Sequence, residues 1–275
     1  MMELGYDATL KDKIINFFSK PISKILSNNN YFTNQIIQNI DLKNHITFEG
    51  KKIYFKTGHN RLNWRVNSFY DEEPIMIDWL KSLNKDDIFL DIGANVGTYT
   101  LPAITKCKYT YASELDVKNC SLLLENLIIN DFCDKCLILN FGMSEKNSIE
   151  EIYYRDNSVG DALQSIGREQ LIPTKKKSPF NIKQFVFSLD YIFENFNLKY
   201  PSKIKIDVDG NEKKVFDGGK KVILNAKEIY YEDNGLDEDK PIIEEILKKF
   251  EIKKELSANR EVDGKKIRNI LFSKI

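Results

Sequence analysis

No stretch of this 275-residue chain approaches the roughly 20 consecutive apolar residues of a membrane-spanning helix, so none is expected. Lys11, Asp12 and Lys13 stand where a secretory signal would be apolar, which points to a cytoplasmic location. Neither sign of charge is in excess. The 41 Lys and Arg balance 41 Asp and Glu, which argues against a nucleic-acid partner held by a basic face. Histidine is scarce, with only His45 and His59. Cysteine is limited to positions 107, 120, 133 and 136, and in a reducing compartment disulfides are not expected. Cys133-Asp-Lys-Cys136 has no second pair at zinc spacing and leads into a strand, so buried or loop thiols are the expectation. Two nucleotide-loop patterns are also missing. Without Gly-Lys-Ser/Thr or Gly-x-Gly-x-x-Gly, neither a phosphate loop nor a nicotinamide site is indicated.

What is present is most informative over residues 88–101. An apolar strand ends at Asp91, a glycine turn follows (Gly93-Ala94-Asn95-Val96-Gly97), and a helix is expected from 96 to 106. Glycine bends the chain sharply and admits a ligand without a Cβ, and a helix start offers N–H groups to it. The next strand, 109–113, ends in Glu114, twenty-three residues after Asp91, where a ribose-binding carboxylate belongs.

Strands at 87–91, 109–113, 136–141, 202–208 and 227–232 alternate with helices at 96–106, 116–129, 189–196, 211–225 and 239–249. This is the α/β pattern of a doubly wound, mostly parallel Rossmann-like sheet. Asp116 suits a helix cap, and Pro74 suits the start of a helix over 74–83. Residues 1–60 read as an extension, with a hairpin turning at 49–51 and an amphipathic basic helix over 11–26. That helix packs on the main domain or on a twin subunit, as in a homodimer, or makes peripheral membrane contact. Residues 61–275 form the main domain, interrupted at about 145–188 by an insertion. It carries strand-like 151–154 and 184–187, Pro173, Lys175-Lys-Lys177 and Pro179, and is expected to be a substrate-facing lid or a disordered loop.

Asp91-Ile-Gly-Ala-Asn-Val-Gly97 with Glu114 resembles the S-adenosylmethionine site of class I methyltransferases. Ile204-Lys-Ile-Asp-Val-Asp-Gly-Asn-Glu212 and Val215-Phe-Asp-Gly-Gly219 are similar to the signature of the FkbM-type O-methyltransferases. Trp64-Arg65, Glu73-Pro74, Ser188-Leu-Asp190 and Tyr231-Glu232 also resemble that family. Asp209 stands where the family usually carries Glu, and Gly142 where Ala is common. The resemblance implies a seven-stranded sheet ending in an antiparallel hairpin (253–256 and 267–273, turning at Asp263-Gly264). It also implies methyl transfer from S-adenosylmethionine to a hydroxyl, with a glycan, sugar precursor or related small molecule as acceptor. Asp91, Gly93, Ala94, Asn95 and Gly97 would form the methionine-side loop, Glu114 would hold the ribose, and Asn140 to Gly142 would lie beside the adenine.

Alternation puts Lys203, Lys205, Asp207 and Asp209 on one face of a strand whose other face is Ile204, Ile206 and Val208. A lysine inside a central parallel strand is costly unless paired, and Asp91 is its expected partner. Sugar hydroxyls are weak acids, so a base or a metal is needed. Asp207 is the first candidate base, with Asp209 and Glu212 behind it. The alternative is Mg²⁺ held by Asp207, Glu232 and Asp233, an arrangement that resembles catechol O-methyltransferase. Trp64 and Arg65 are candidates for the acceptor rim, and His59 either lines a substrate mouth or lies on a surface loop. No Asn/Asp-Pro-Pro-aromatic run supports amino methylation of bases, and no Cys-x3-Cys-x2-Cys supports radical methylation. A binding protein that keeps the fold without catalysis is the remaining rival.

Overall fold

The computed structural model describes residues 40–168, 180–262 and 265–275, with side chains outside 258–266, and single positions of a preceding helical stretch. Most of the helix expected over 11–26, the polar stretch 169–179 and the turn at 263–264 lie outside the described residues.

A hairpin opens the described chain: β1 (Lys43–Phe48) pairs antiparallel with β2 (Lys51–Lys56) through a turn at Glu49 and Gly50, both at positive φ. Two helices follow, α1 (Asn60–Asn67) and α2 (Pro74–Ser82). The sequence reading had no helix at α1. It starts because the His59 ring accepts the Arg61 N–H, a cap from a residue type that rarely signals one, and His59 is thereby placed on an exposed helix end.

The main sheet is built from β3 (Ile88–Ile92), β4 (Tyr109–Ser113), β5 (Cys136–Leu139), β10 (Lys203–Ile206), β11 (Glu228–Asp233), β12 (Phe250–Val262) and β13 (Lys265–Lys274). Its seven strands lie in the order β12-β13-β11-β10-β3-β4-β5. All neighbours are parallel except β13, antiparallel to both β11 and β12, so the expected terminal hairpin is present. Between the strands run α3 (Thr100–Ile104), α4 (Val117–Ile129), α5 (Leu189–Asn195), α6 (Glu212–Asn225) and α7 (Asp239–Leu247). Asp116 caps α4 by accepting the Lys118 N–H at 2.8 Å, as its position predicts. Among the described residues no helix is long and apolar enough to cross a membrane.

Alternate residues divide the core. Leu90, Ile92, Ile204, Ile206, Ile229 and Tyr231 face one side, where they pack with residues of α5 and α6 such as Leu189, Phe193, Val215 and Val222. Phe89, Ala112, Tyr230 and Leu271 face the other, where Met76, Trp79 and Leu80 of α2 and Phe48 and Phe55 of the hairpin cover them.

Two expectations change. The strand expected over 136–141 ends at Leu139. The chain leaves the sheet at exposed Asn140 and re-forms as β6 (Gly142–Met143), which joins a second sheet with β7 (Ser148–Tyr154), β8 (Ser165–Ile166) and β9 (Phe180–Phe187), in the order β6-β9-β7-β8. The helix expected over 96–106 is only the five residues of α3, because Asn95 (φ 50°) and Gly97 (φ 90°) spend the preceding residues on turns.

Candidate active site

Register places charged side chains in rungs on the α2 side of the sheet. Lys205 lies opposite Asp91 on β3 and Tyr230 on β11. One rung below, Lys203 reaches Glu228 at 2.6 Å, and the Trp79 indole N–H donates to the same carboxylate at 2.7 Å. The expected Lys205–Asp91 pair is there at 3.2 Å, and Asp207 joins it at 3.1 Å. Lys205 is almost wholly buried. Burial alone would lower its pKa, but Asp207, Asp91 and Glu73 outweigh that and raise it. Thr100 closes the group by donating to Asp91 at 2.6 Å.

Glu73 enters this face from the start of α2. Its two oxygens accept from the Tyr99 hydroxyl (3.0 Å) and the Tyr230 hydroxyl (2.7 Å). Burial, then the neighbouring Asp207, push its pKa above the ordinary carboxylate range.

The glycine loop differs from the simple expectation of free N–H groups at a helix start. Gly93 N and Ala94 N donate to Ser113 O at 3.0 and 2.9 Å, Val96 N to Asn95 Oδ1 at 3.0 Å, and Gly97 N to Ala94 O at 2.9 Å. Asn95 N donates to Glu114 at 2.7 Å, and Asp116 N to the other Glu114 oxygen at 2.8 Å. The glycines serve packing. A Cβ on Gly93 would lie 1.8 Å from Asp207 O, and one on Gly97 within 2.6 Å of Leu101 and Leu123. Burial lifts the pKa of Glu114 to about 7. Asn140 Nδ2 donates to Glu114 O at 2.8 Å, so the two are adjacent, while Gly142 lies buried against Val186, Ile166 and Leu115.

Residues 155–163, a part of the insertion that no motif marks, strap this region. Asp161 O accepts from Asn95 Nδ2 (2.9 Å) and Asn119 Nδ2 (3.0 Å), and Gly160 N donates to Asn119 Oδ1 at 2.7 Å. Arg65 donates twice to Gly160 O, at 3.1 and 2.8 Å, and Arg61 reaches Asp161 Oδ1 at 2.6 Å, with Arg155 on the same oxygen. Leu163 N donates to Asp209 Oδ2 at 3.1 Å. Leu163 and Asp209 both hold positive φ (68° and 52°), a strained state for such side chains. Part of the expected lid is thus an ordered strap, and Arg65 is bound to it.

Asp207, Asp209 and Glu232 bring oxygens within 4.8 Å of one another, a spacing that could hold a divalent cation. Asp233 is not in that group. Strand alternation turns it away from Glu232, and Arg268 Nε holds it at 2.8 Å. Glu212 is buried, and its Oε1 accepts from Val208 N and Asn234 Nδ2, both at 3.1 Å, so it supports the loop behind Asp207 and Asp209. Burial, then Asp239, raise its pKa well above the ordinary value.

The residues fit an adenosyl cofactor in one respect visible in the structure. Each Glu114 oxygen accepts a single backbone N–H, which leaves lone pairs for hydroxyl donors.

The Methyltransferase FkbM domain family matches residues 91–266. The hexuronic acid methyltransferase AglP of Haloferax volcanii is 24% identical over 157 residues, covering 56% of this chain and 59% of its own length. The chain therefore spans less than two thirds of that curated relative. Among solved structures, methyltransferase FkbM from Methylobacillus flagellatus KT aligns with a TM-score of 0.45 at 14% identity, covering 75% of this chain and 52% of the other. The tRNA m1G37 methyltransferase of M. jannaschii aligns with a TM-score of 0.44 at 13% identity, covering 86% and 57%. Likenesses at that level carry no argument about activity.

Proposed function

The chain belongs to the FkbM methyltransferase family, and from that premise we propose that it methylates a hydroxyl of a carbohydrate, using S-adenosylmethionine. The observation that carries the reading is the meeting of Glu73, Asp207, Asp209 and Glu232 beside the glycine loop, at the carboxyl ends of β10 and β11. Carboxylates gathered at that place suit an acceptor that must lose a proton. A carbohydrate acceptor is further supported by the hexuronic acid named for the relative above.

The cofactor supplies, when bound, a methyl carbon on a positively charged sulfur. Glu114 is the group suited to hydroxyls of its ribose, with Asn140 beside it. The Asp91–Lys205–Asp207 group carries two negative charges against one positive, an excess that favours a cation nearby. The strap of residues 155–163 is tied to Asn95 and Asp209, which places it beside the loop and the strand ends. Positioning of acceptor against methyl carbon then accounts for much of the rate.

A second reading has its own observation. The Asp207, Asp209 and Glu232 oxygens are spaced so that Mg²⁺ could ionise the acceptor, with Asp209 standing where Asp233 was expected.

The test combines calorimetry with mass spectrometry. Purified protein should bind S-adenosylmethionine or S-adenosylhomocysteine and ignore NAD. It should add about 14 daltons (one CH₂) to a methyl glucuronoside or methyl glucoside, and exhaustive EDTA should leave the rate intact. Absence of heat with either sulfur compound ends the cofactor reading. A rate lost to EDTA and restored by Mg²⁺ establishes the second reading.

A further inference from the structure

We propose that Glu73 is the residue that takes the proton from the acceptor hydroxyl during methyl transfer. The inference rests on the methyltransferase reading above and assigns a role to a residue outside the glycine loop and the β10 block. In the step, the acceptor O–H bond breaks and its proton passes to the Glu73 carboxylate. The O–C bond forms as the C–S bond breaks, and that electron pair stays on sulfur. Glu73 returns the proton to solvent when product leaves.

Three observations carry it. First, Glu73 occupies the N-cap position of α2, immediately before Pro74, yet makes no side-chain cap hydrogen bond. Aspartate at that position would ordinarily accept a helix N–H, but the longer Glu73 does not. It turns instead toward the Lys205 face of the sheet. Second, its two contacts are hydroxyls from different parts of the site, Tyr99 at the end of the glycine loop and Tyr230 in the Lys205 rung. A phenol can rotate to donate to a carboxylate or to accept from a carboxylic acid, so both protonation states of Glu73 can be satisfied without moving the backbone. Third, Asp91 and Asp207 each have an oxygen engaged by the Lys205 ammonium, at 3.2 and 3.1 Å, whereas both Glu73 contacts are hydroxyls. The groups facing Glu73 are Tyr99, Tyr230, Asp207 and Lys205, with Glu72 close to Tyr99. Burial and Asp207 favour its protonated form; Lys205 and the two phenols favour the carboxylate. The balance lies upward.

The test uses the full chain, with Glu73→Gln and Tyr230→Phe. ¹³C-carboxyl NMR of the ligand-free protein should show, besides Glu114 and Glu212, a further glutamate titrating above the ordinary range that is missing from Glu73→Gln. With the methyl glucuronoside as acceptor, Glu73→Gln should lower turnover about 100-fold or more. It should also remove the acidic limb of the pH–rate profile and leave S-adenosylhomocysteine affinity within about twofold. Tyr230→Phe removes one tie and keeps the carboxylate, so its pH–rate limb should persist. The proposal is overturned if Glu73 titrates as an ordinary glutamate. It is equally overturned if Tyr230→Phe and Glu73→Gln lose the same activity with unchanged pH profiles, or if Glu73→Gln weakens cofactor binding and leaves saturated turnover intact. Failure of the underlying reading is distinguishable: no heat with S-adenosylhomocysteine removes the cofactor, while the NMR titration, which needs no ligand, still decides the state of Glu73.

Discussion

Glu114 is a buried acid held by two backbone N–H groups, and its titration sets a pH dependence whose sign can be worked out. Its folded pKa, about 7, lies above that of an unfolded glutamate. Between those values the folded state binds the extra proton, so this residue's contribution to stability falls as pH rises through that window. Cofactor affinity runs the other way, because ribose hydroxyls donate to the ionised carboxylate. Affinity measured by calorimetry should decline as pH falls below about 7, and Glu114→Ala should weaken it roughly tenfold to a hundredfold, the equivalent of one charge-assisted hydrogen bond. Flat affinity from about pH 8 to about pH 5 in the wild type would move the ribose contact elsewhere. Gly93 carries a related lesson. A side chain there meets Asp207 O before it meets any ligand, so Gly93→Val acts by separating β3 from β10.

At the scale of elements, α4 is the piece that others are fastened to. Asn130 exchanges two hydrogen bonds with the Tyr54 backbone (2.8 and 2.7 Å). Asn126 accepts from Lys56 N and donates to Val96 O, at 2.8 and 2.9 Å. Asn119 treats Gly160 and Asp161 in the same way. Hairpin, glycine loop and strap are thus each bound to one helix through side-chain amides. Asn126→Leu leaves Val96 O without its donor and should cost about 1–3 kcal/mol in urea unfolding; a loss below about 0.5 kcal/mol would mean water or another donor replaces the amide. These ties mark the limit of what the sequence displays. The Lys205–Asp91 pair was legible because alternation leaves a lysine on a buried strand face, and the α4 cap because Asp116 precedes an apolar stripe. Asn119, Asn126 and Asn130 belong to no such pattern, since a polar residue on a helix reads as solvated until the loop that covers it is known. Asp161 and Tyr99 were hidden for the same reason, and Glu73, though part of the Glu73-Pro74 likeness, had no readable contacts. Their partners lie 100, 26 and 157 residues away and obey no period. The glycines of the 215–219 block were visible as a motif but not as packing: a Cβ on Gly218 would lie 1.9 Å from Ser144 O.

For the whole molecule, the order of strands in the sheet differs from their order in the chain. β3 pairs on one side with β4, its successor, and on the other with β10, which arrives only after the second sheet and its strap. Gly93 and Lys205, in contact across that junction, are 112 residues apart. Closing so long a loop is entropically costly and slow, so β3 is expected to be made and paired on one edge well before the other edge is covered. During that interval Asp91 has no lysine beside it, and it stands near the carboxyl end of an otherwise apolar strand whose free edge could recruit another chain. A lone carboxylate at that position opposes such pairing, since a charge on an open edge must be desolvated by whatever strand adds to it. Asp91→Asn keeps the shape and removes the charge. Its refolding yield should fall as protein concentration rises, at concentrations where wild type refolds fully; equal yields by light scattering would refute this. The aspartate that later anchors Lys205 would then have an earlier use, as a guard against aggregation while the chain is half made.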